Sequence, residues 1–311
     1  MGIDRPDDAD TPSDNPADRT SAPANDAQHS GASHLETRYR EEYYHAQKER
    51  ATTGTRQEAP ASDTWTETAN LARWMWGEYH RRWPPEEHPP VNRSTDPPGS
   101  WRSDSNRFLD TAANARIEAE CDRIVEREQE KISPAMRDTE NQDPSRHLIG
   151  FEHRRKSRDR IKEKVCATIN DFNRSPEQAV SLVPDAIRYT FQYEEARYTQ
   201  DVRLDIVRLK DQGFALDMLK NSWSDDQYKG INSRWIEPDT GQRFEVQFHT
   251  RISFEAKQIT HSAYERLRTL QPDPFEHMVL EAFQRKVADA VPVPPGATDI
   301  HDYQERRQSA R

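Results

Sequence analysis

The sequence is poor in the residues that mark disulfide-rich, zinc-binding and membrane proteins. It has two cysteines, Cys121 and Cys166, and neither stands in a CxxC or Cys/His spacing, so neither a disulfide scaffold nor a zinc site is expected. No run approaches about 18 consecutive apolar residues, so no transmembrane helix is expected. The start of the chain, MGIDRPDDAD, lacks the basic residues and apolar run of a secretory signal. These absences predict a cytoplasmic site of action and no membrane partner.

Apolar residues are also scarce, at 32% of the chain, where globular domains have roughly 45–50%. The mean hydropathy is −1.14. An ordinary domain extended by long polar tails explains both values. The net charge of −10 and the pI of about 5.6 exclude a general basic surface for duplex DNA, although a local basic patch for phosphates is still compatible with them.

The composition changes along the chain and predicts one folded domain. Residues 1–62 are rich in Asp, Thr, Ser, Pro and Ala and bury too little apolar surface to fold, so an acidic disordered tail is predicted. A short aromatic helix and a proline-rich linker are predicted for 63–100. The folded domain is expected over 102–290, followed by a loose tail over 291–311.

Hydrophobic periodicity within the domain predicts both helices and strands. Residues 133–149 are polar and are expected to form a loop. Strands are predicted over 186–193, 214–221, 228–236 and 243–250, the last two as a hairpin. Helices are predicted over 104–132, 195–212, 252–270 and 274–290, with a further helix after the basic stretch at 153–164 and a short one capped by Ser175. This order predicts an α+β fold, a mixed sheet of about five strands packed by helices.

The strand RFEVQFHT (243–250) is the most informative segment for function. Its apolar residues alternate with Glu245, Gln247 and His249, so one face of the strand carries a carboxylate, an amide and an imidazole in a row. On the predicted helix that follows, Lys257, His261, Tyr264 and Arg268 share one helical stripe. A polar strand beside a polar helix face is typical of a phosphate-handling cleft, although a solvated surface has the same pattern.

Three further motifs carry the side chains that phosphates and nucleotides require. The segment HRRKSRDRIKEK (153–164) is dense in cations at a helix start, where phosphates bind favourably. Asp185 stands at the predicted start of a strand, and a carboxylate there can hold Mg²⁺. Between Lys220 and Asn232, Tyr228 offers an aromatic face for a nucleobase.

Taken in order, these motifs resemble the synthetase domain of the RelA/SpoT family over roughly residues 105–270. The resemblance implies transfer of pyrophosphate from ATP to the 3′-hydroxyl of a purine nucleotide, GTP, GDP or an adenine nucleotide, with Mg²⁺ as cofactor. The variants of the motifs look closest to the divergent, toxin-like branch of small alarmone synthetases. An antitoxin or a homo-oligomer is therefore among the expected partners.

The resemblance also implies a role for individual residues. Asp185 and Glu245 would be catalytic and hold the metal. The ATP-binding residues would be Arg154, Lys156, Lys164 and Arg188. The acceptor nucleotide would be bound by Lys220, Tyr228, Asn232, Gln247 and His261.

The chain departs from the family pattern at four positions. Arg160 replaces a usual Ser, Asn232 a usual His and His249 a frequent Arg, and Asp185 stands closer to Arg188 than is usual. Two alternatives to alarmone synthesis therefore stay open, namely pyrophosphorylation of an RNA or tRNA 3′ end and a catalytically inactive nucleotide-binding or structural module.

Overall fold

The computed structural model describes residues 62–84, 90–172 and 174–304. The predicted disordered tail therefore lies outside the described residues, except for Ser62. The α-helices are α1 (Ser62–Arg82), α2 (Thr111–Arg127), α3 (Ser133–Asn141), α4 (Arg158–Phe172), α5 (Pro176–Ser181), α6 (Tyr198–Asp211), α7 (Arg251–Thr269) and α8 (Pro274–Asp289). The strands are β1 (Trp101–Arg102), β2 (Phe108–Leu109), β3 (Arg146–Leu148), β4 (Arg188–Tyr193), β5 (Ala215–Asn221), β6 (Ile231–Glu237), β7 (Gln242–Thr250) and β8 (Tyr303–Gln304).

Within the described part of the chain, six strands form one mixed sheet in the order β3-β4-β7-β6-β5-β8. The β4–β7 pair is parallel, and the other pairs are antiparallel. The α+β fold predicted from the sequence is confirmed. The sheet exceeds the expected five strands because β8, from the end of the chain, pairs with β5.

The parallel β4–β7 pair lies in the middle of the core. Phe191 on β4 stacks on Phe248 of β7 at 6.4 Å between ring centroids, and both side chains are fully buried. Tyr198, at the start of α6, donates a hydrogen bond to the Phe248 carbonyl at 2.9 Å. Burial of large aromatic side chains is the main stabilising contribution here. The apolar residues of β7 therefore face the core, as their alternation predicts.

The segment 104–149 differs from the prediction of one helix followed by a loop. Asp110 caps α2 through a 2.7 Å bond from the Ala113 N–H, and a π-helical turn, Glu128–Ile132, joins α2 to α3. The expected loop contains α3 and the strand β3. The polar composition was misleading because Met136 and Thr139 provide the buried face of α3. Pro134 at its start is compatible with a helix.

The aromatic helix predicted within 63–100 is confirmed as α1, which packs on α7 and α8. The Trp65 indole N–H donates to Glu255 on α7 at 3.0 Å. The Tyr79 hydroxyl donates to Glu276 on α8 at 2.6 Å. Its aromatic face therefore packs on the helices that follow the hairpin.

The end of the chain is more ordered than the loose tail expected after residue 290. Val291, Ala297 and Ile300 are buried, and the Asn221 amide donates to the carbonyl oxygens of Ala297 and Ile300 at 2.8 and 2.7 Å. Residues 305–311 lie outside the described part. No helix among the described residues is long and apolar enough to cross a membrane.

Glu237 at the β6–β7 turn predicts acid sensitivity. It is buried, and burial alone would raise its pKa. Lys131 at 2.5 Å and the N–H groups of Asp239 and Thr240 outweigh burial and lower the pKa to about 2. Because this value lies below that of the unfolded chain, the stabilisation is present above about pH 4.5 and is lost as the pH falls towards 2. Glu237→Gln should lower the free energy of unfolding at pH 7 by about 2 kcal/mol.

Urea unfolding between pH 7 and pH 2 measures this effect. Below about pH 4.5, the Glu237→Gln variant should lose less stability than the wild type. The exposed Glu130, changed to Gln, is the matched control and should follow the wild type. Parallel pH profiles for all three proteins would contradict the assignment.

Candidate active site

Glu245 lies between two arginines on neighbouring strands. Arg188 on β4 is its register partner in the parallel pair, and Arg234 on β6 is its partner in the antiparallel pair. Register partners project from the same face of a sheet, so the three side chains form one row. Arg234 is ion-paired with Asp217 on β5. The Arg188 guanidinium makes no hydrogen bond or ion pair with the described residues.

A chain of hydrogen bonds joins Glu245 to helix α7 through Gln247. The Gln247 Nε2 donates to Glu245 Oε1 at 2.6 Å, and the Lys257 Nζ donates to Gln247 Oε1 at 2.5 Å. Burial, and secondly Arg188, lowers the pKa of Lys257 to about 8, against the opposing effect of Glu245. Lys257 is thus held close to the carboxylate without pairing with it.

Asp185 is clasped by two lysines. Lys164 on α4 reaches both carboxylate oxygens at 2.9 and 2.8 Å, and Lys156 reaches one at 3.0 Å. Burial alone would raise the pKa of Asp185, but the lysines outweigh it and hold the pKa below its ordinary value. The structure therefore brings together Asp185, Lys156 and Lys164.

The prediction that Asp185 begins a strand is wrong. Asp185 lies in a 3-10 turn, Pro184–Ala186, with φ −93° and ψ 19°, and β4 starts only at Arg188. Because Asp185 lies outside the strand, the alternation of side chains along β4 does not determine which way the Asp185 side chain points. The turn packs on β7, and the Glu245 N–H donates to the Ile187 carbonyl at 2.9 Å, which places the turn beside Glu245.

Arg154 lies in a different environment from the two lysines. Its guanidinium Nε donates to Glu128 at 2.6 Å, and its Cζ lies 4.2 Å from the centroid of the Phe151 ring. Glu128 is fully buried and also accepts a hydrogen bond from the Tyr189 hydroxyl at 3.0 Å. The predicted ATP-binding role of Arg154 stays a prediction, and this guanidinium already has a buried partner.

Tyr228, expected to stack on the acceptor base, is anchored at its hydroxyl. That hydroxyl lies 2.9 Å from Asn232 Oδ1 and 2.9 Å from His249 Nε2. His249 Nδ1 lies 2.9 Å from the Ser253 hydroxyl, which is part of the capping box that starts α7. Burial lowers the pKa of His249 well below its ordinary value. This imidazole is therefore neutral and buried, whereas the alternation pattern placed it on an open polar face.

The polar side chains described so far, from Asp185 across Glu245 to Tyr228, are called the cleft below. The two remaining predicted residues lie at its edges. Lys220 on β5 is the register partner of Asn232 and lies 3.3 Å from Asp225. His261, one helical turn after Lys257 on α7, is exposed. Desolvation lowers its pKa, helped by Lys257 and Arg188 and opposed by Glu265. Lys220, Asn232 and Gln247 form a row across β5, β6 and β7.

Three residues important to this arrangement were not singled out as site residues from the sequence. Arg234 follows from strand register, which single-strand patterns do not contain. Glu128 lies in a helix remote in sequence from its partner. Lys257 belongs to the α7 stripe and could have been chosen for its spacing from His261.

No cluster of three or more His, Cys, Asp or Glu side chains able to hold a metal occurs among the described residues. Mg²⁺ is commonly held by one or two carboxylates together with substrate phosphates. Asp185 and Glu245 are two such carboxylates on adjacent segments, so their chemistry fits Mg²⁺ completed by phosphate oxygens. Lys156 and Lys164 would then turn from Asp185 to those phosphates.

Comparison with known proteins gives a weak similarity to one group of solved structures. No protein-family model matches the chain, and no curated protein matches it. The chain is similar to small alarmone synthetases. One is small alarmone synthetase 1 from Bacillus subtilis bound to its product pppGpp, with 14% identity over 44% of this chain and 72% of that chain, and a TM-score of 0.32.

Another similar structure is a GTP pyrophosphokinase family protein from Streptococcus pneumoniae. It has 17% identity over 55% of this chain and 87% of that chain, with a TM-score of 0.39. At such TM-scores the two structures add no support for a function, which has to come from the site itself.

Loss of the ion pair between Arg154 and Glu128 is expected to destabilise the fold. Arg154→Met removes the partner of a fully buried carboxylate and should lower the free energy of unfolding by about 3 kcal/mol, measured by urea denaturation. Arg155 lies 3.6 Å from the same carboxylate and is more exposed, so Arg155→Met is the matched control and should cost about 1 kcal/mol or less. An Arg154→Met variant as stable as wild type, but with a raised KM for ATP, would contradict the structural role.

Gly230 predicts a second, steric effect. Its φ is +147°, and a Cβ added there would lie 2.7 Å from Cε1 of the buried His249 ring. Gly230→Ala should therefore cost about 3 kcal/mol, combining backbone strain with overpacking. Gly241 has φ +71° and open space around its Cα, so Gly241→Ala should cost only about 1 kcal/mol. Equal losses of thermal stability in the two variants would show that His249 moves aside.

Proposed function

We propose that this protein transfers a pyrophosphoryl group from ATP to the 3′-hydroxyl of a purine nucleotide. The observation that carries the proposal is the placement of two carboxylates, Asp185 and Glu245, on adjacent segments lined by several cations. Phosphoryl-type transfer depends mainly on positioning and on neutralising the charge of the phosphates. The cations are Lys156, Lys164, Arg188 and Lys257.

The cleft has two ends, Asp185 with its two lysines and Tyr228 with Asn232, and each end suits one substrate. Lys156 and Lys164 are suited to hold the triphosphate of ATP, since phosphate oxygens can replace the Asp185 carboxylate as their partner. Tyr228 presents an anchored ring beside Asn232, which suits stacking of the acceptor base. Glu245 lies between these two ends and is suited to accept the proton of the 3′-hydroxyl.

The reaction balances with these groups. The 3′-oxygen forms a bond to the β-phosphorus of ATP, the bond from that phosphorus to the α–β bridging oxygen breaks, and AMP leaves. The proton of the 3′-hydroxyl passes to Glu245. Bound Mg²⁺ would supply charge neutralisation at the triphosphate, and Asp185 and Glu245 would hold it. Gln247 keeps the Glu245 carboxylate in place through its 2.6 Å hydrogen bond.

The test uses the purified full-length protein, β-labelled ATP and Mg²⁺, with GTP, GDP, AMP or tRNA as acceptor. Wild type should transfer label to a purine nucleotide. Glu245→Gln keeps the size of the side chain but removes the proton acceptor, so kcat should fall by at least about 100-fold. Glu281→Gln, an exchange of the same type on α8, is the control and should leave kcat unchanged. Label that enters only tRNA would favour the RNA reaction, and label that enters no acceptor would refute the proposal.

A further inference from the structure

Lys257 is the one of the four cations named above that has been given neither ATP nor the acceptor as its specific partner. It lies on α7, and its Nζ is two hydrogen bonds from the Glu245 carboxylate, with Gln247 between them. An ammonium group has three N–H donors. Among the described residues, Gln247 Oε1 is the one acceptor it contacts. Two donors therefore point away from the amide and are available to a ligand.

The surroundings of Lys257 carry a surplus of positive charge. Arg188 is the register partner of Glu245, which is joined to Lys257 through Gln247, and neither cation forms an ion pair with a described carboxylate. The Lys257 Nζ lies 5.2 Å from the Phe254 ring centroid, a cation–π contact. The Glu245 carboxylate beside them offsets one of the two charges, so binding of a further anion would stabilise the pair.

Lys257 and Glu245 together fix the orientation of the Gln247 side-chain amide. Lysine can only donate and an ionised carboxylate can only accept, so Oε1 must face Lys257 and Nε2 must face Glu245. The amide keeps the cation and the carboxylate apart, since it uses one donor of the former and one oxygen of the latter. Lys257 therefore keeps its charge for a third group placed beside Glu245.

We infer that Lys257 is a catalytic residue that, with Arg188, binds the phosphoryl group under transfer next to the Glu245 carboxylate. This inference rests on the proposed function for the identity of the group, and on the geometry for the anion site itself. The ligand class is a phosphate or pyrophosphate oxyanion. Charge that develops on the transferred group in the transition state would be neutralised by an ammonium held in place beforehand.

The experiment compares Lys257→Met and Lys257→Arg in the full chain. Lys257→Met should lower kcat by about 100- to 1,000-fold with the KM for ATP within about threefold of wild type. Lys257→Arg keeps the charge and should recover kcat to within about tenfold of wild type. Lys210→Met removes an exposed lysine of α6 and is the control that should leave kcat unchanged. Thermal unfolding of each variant confirms that it is folded.

A second measurement is independent of turnover. Titration calorimetry with inorganic pyrophosphate should give a dissociation constant at least about tenfold weaker in Lys257→Met than in wild type and in Lys257→Arg. If Lys257 only positions Gln247, then Lys257→Met and Gln247→Leu should lower kcat equally and leave the pyrophosphate affinity unchanged, which would overturn the inference. If wild type transfers no label but binds pyrophosphate in a Lys257-dependent manner, the anion site stands and the proposed reaction fails.

Discussion

The parallel pairing of β4 with β7 is the constraint on which the cleft depends. It places Arg188 in register with Glu245 and brings the Asp185 turn against the same strand. The aromatic pair Phe191–Phe248 lies on the opposite face, so one set of backbone hydrogen bonds aligns both the core and the polar row. A shift of one residue in this register would exchange the two faces and would bury Glu245 among aromatic rings.

Alternation made the common direction of Glu245 and Gln247 predictable, because it is a local property of the strand. The contact of Lys156 and Lys164 with Asp185 does not follow from alternation, because Asp185 lies in a turn. The partners of Arg154 and His249 were not predictable in this way. Glu128 is 26 residues from Arg154, and His249 is buried by Gly230 and Tyr228, which approach from another strand and its loop. Such contacts depend on the tertiary fold.

The fold shows the same division between local and distant effects. The hairpin and the helices α6, α7 and α8 end within a few residues of their predicted bounds, since turn residues, caps and periodicity define them. The polar segment at 133–149 was misjudged because a short helix needs few apolar residues when only one face is buried. The end of the chain was misjudged because β8 depends on the free edge of β5, which no local signal describes.

The position of Gln247 determines how the charges of Lys257 and Glu245 are kept apart in the folded protein. Without the Gln247 amide between them, Lys257 and Glu245 could pair directly and neutralise each other. The Gln247 amide lies between them and makes one hydrogen bond to each, so the folded chain keeps the two charges apart. Folding itself therefore supplies the separated charges of Lys257 and Glu245 that a bound phosphate would encounter.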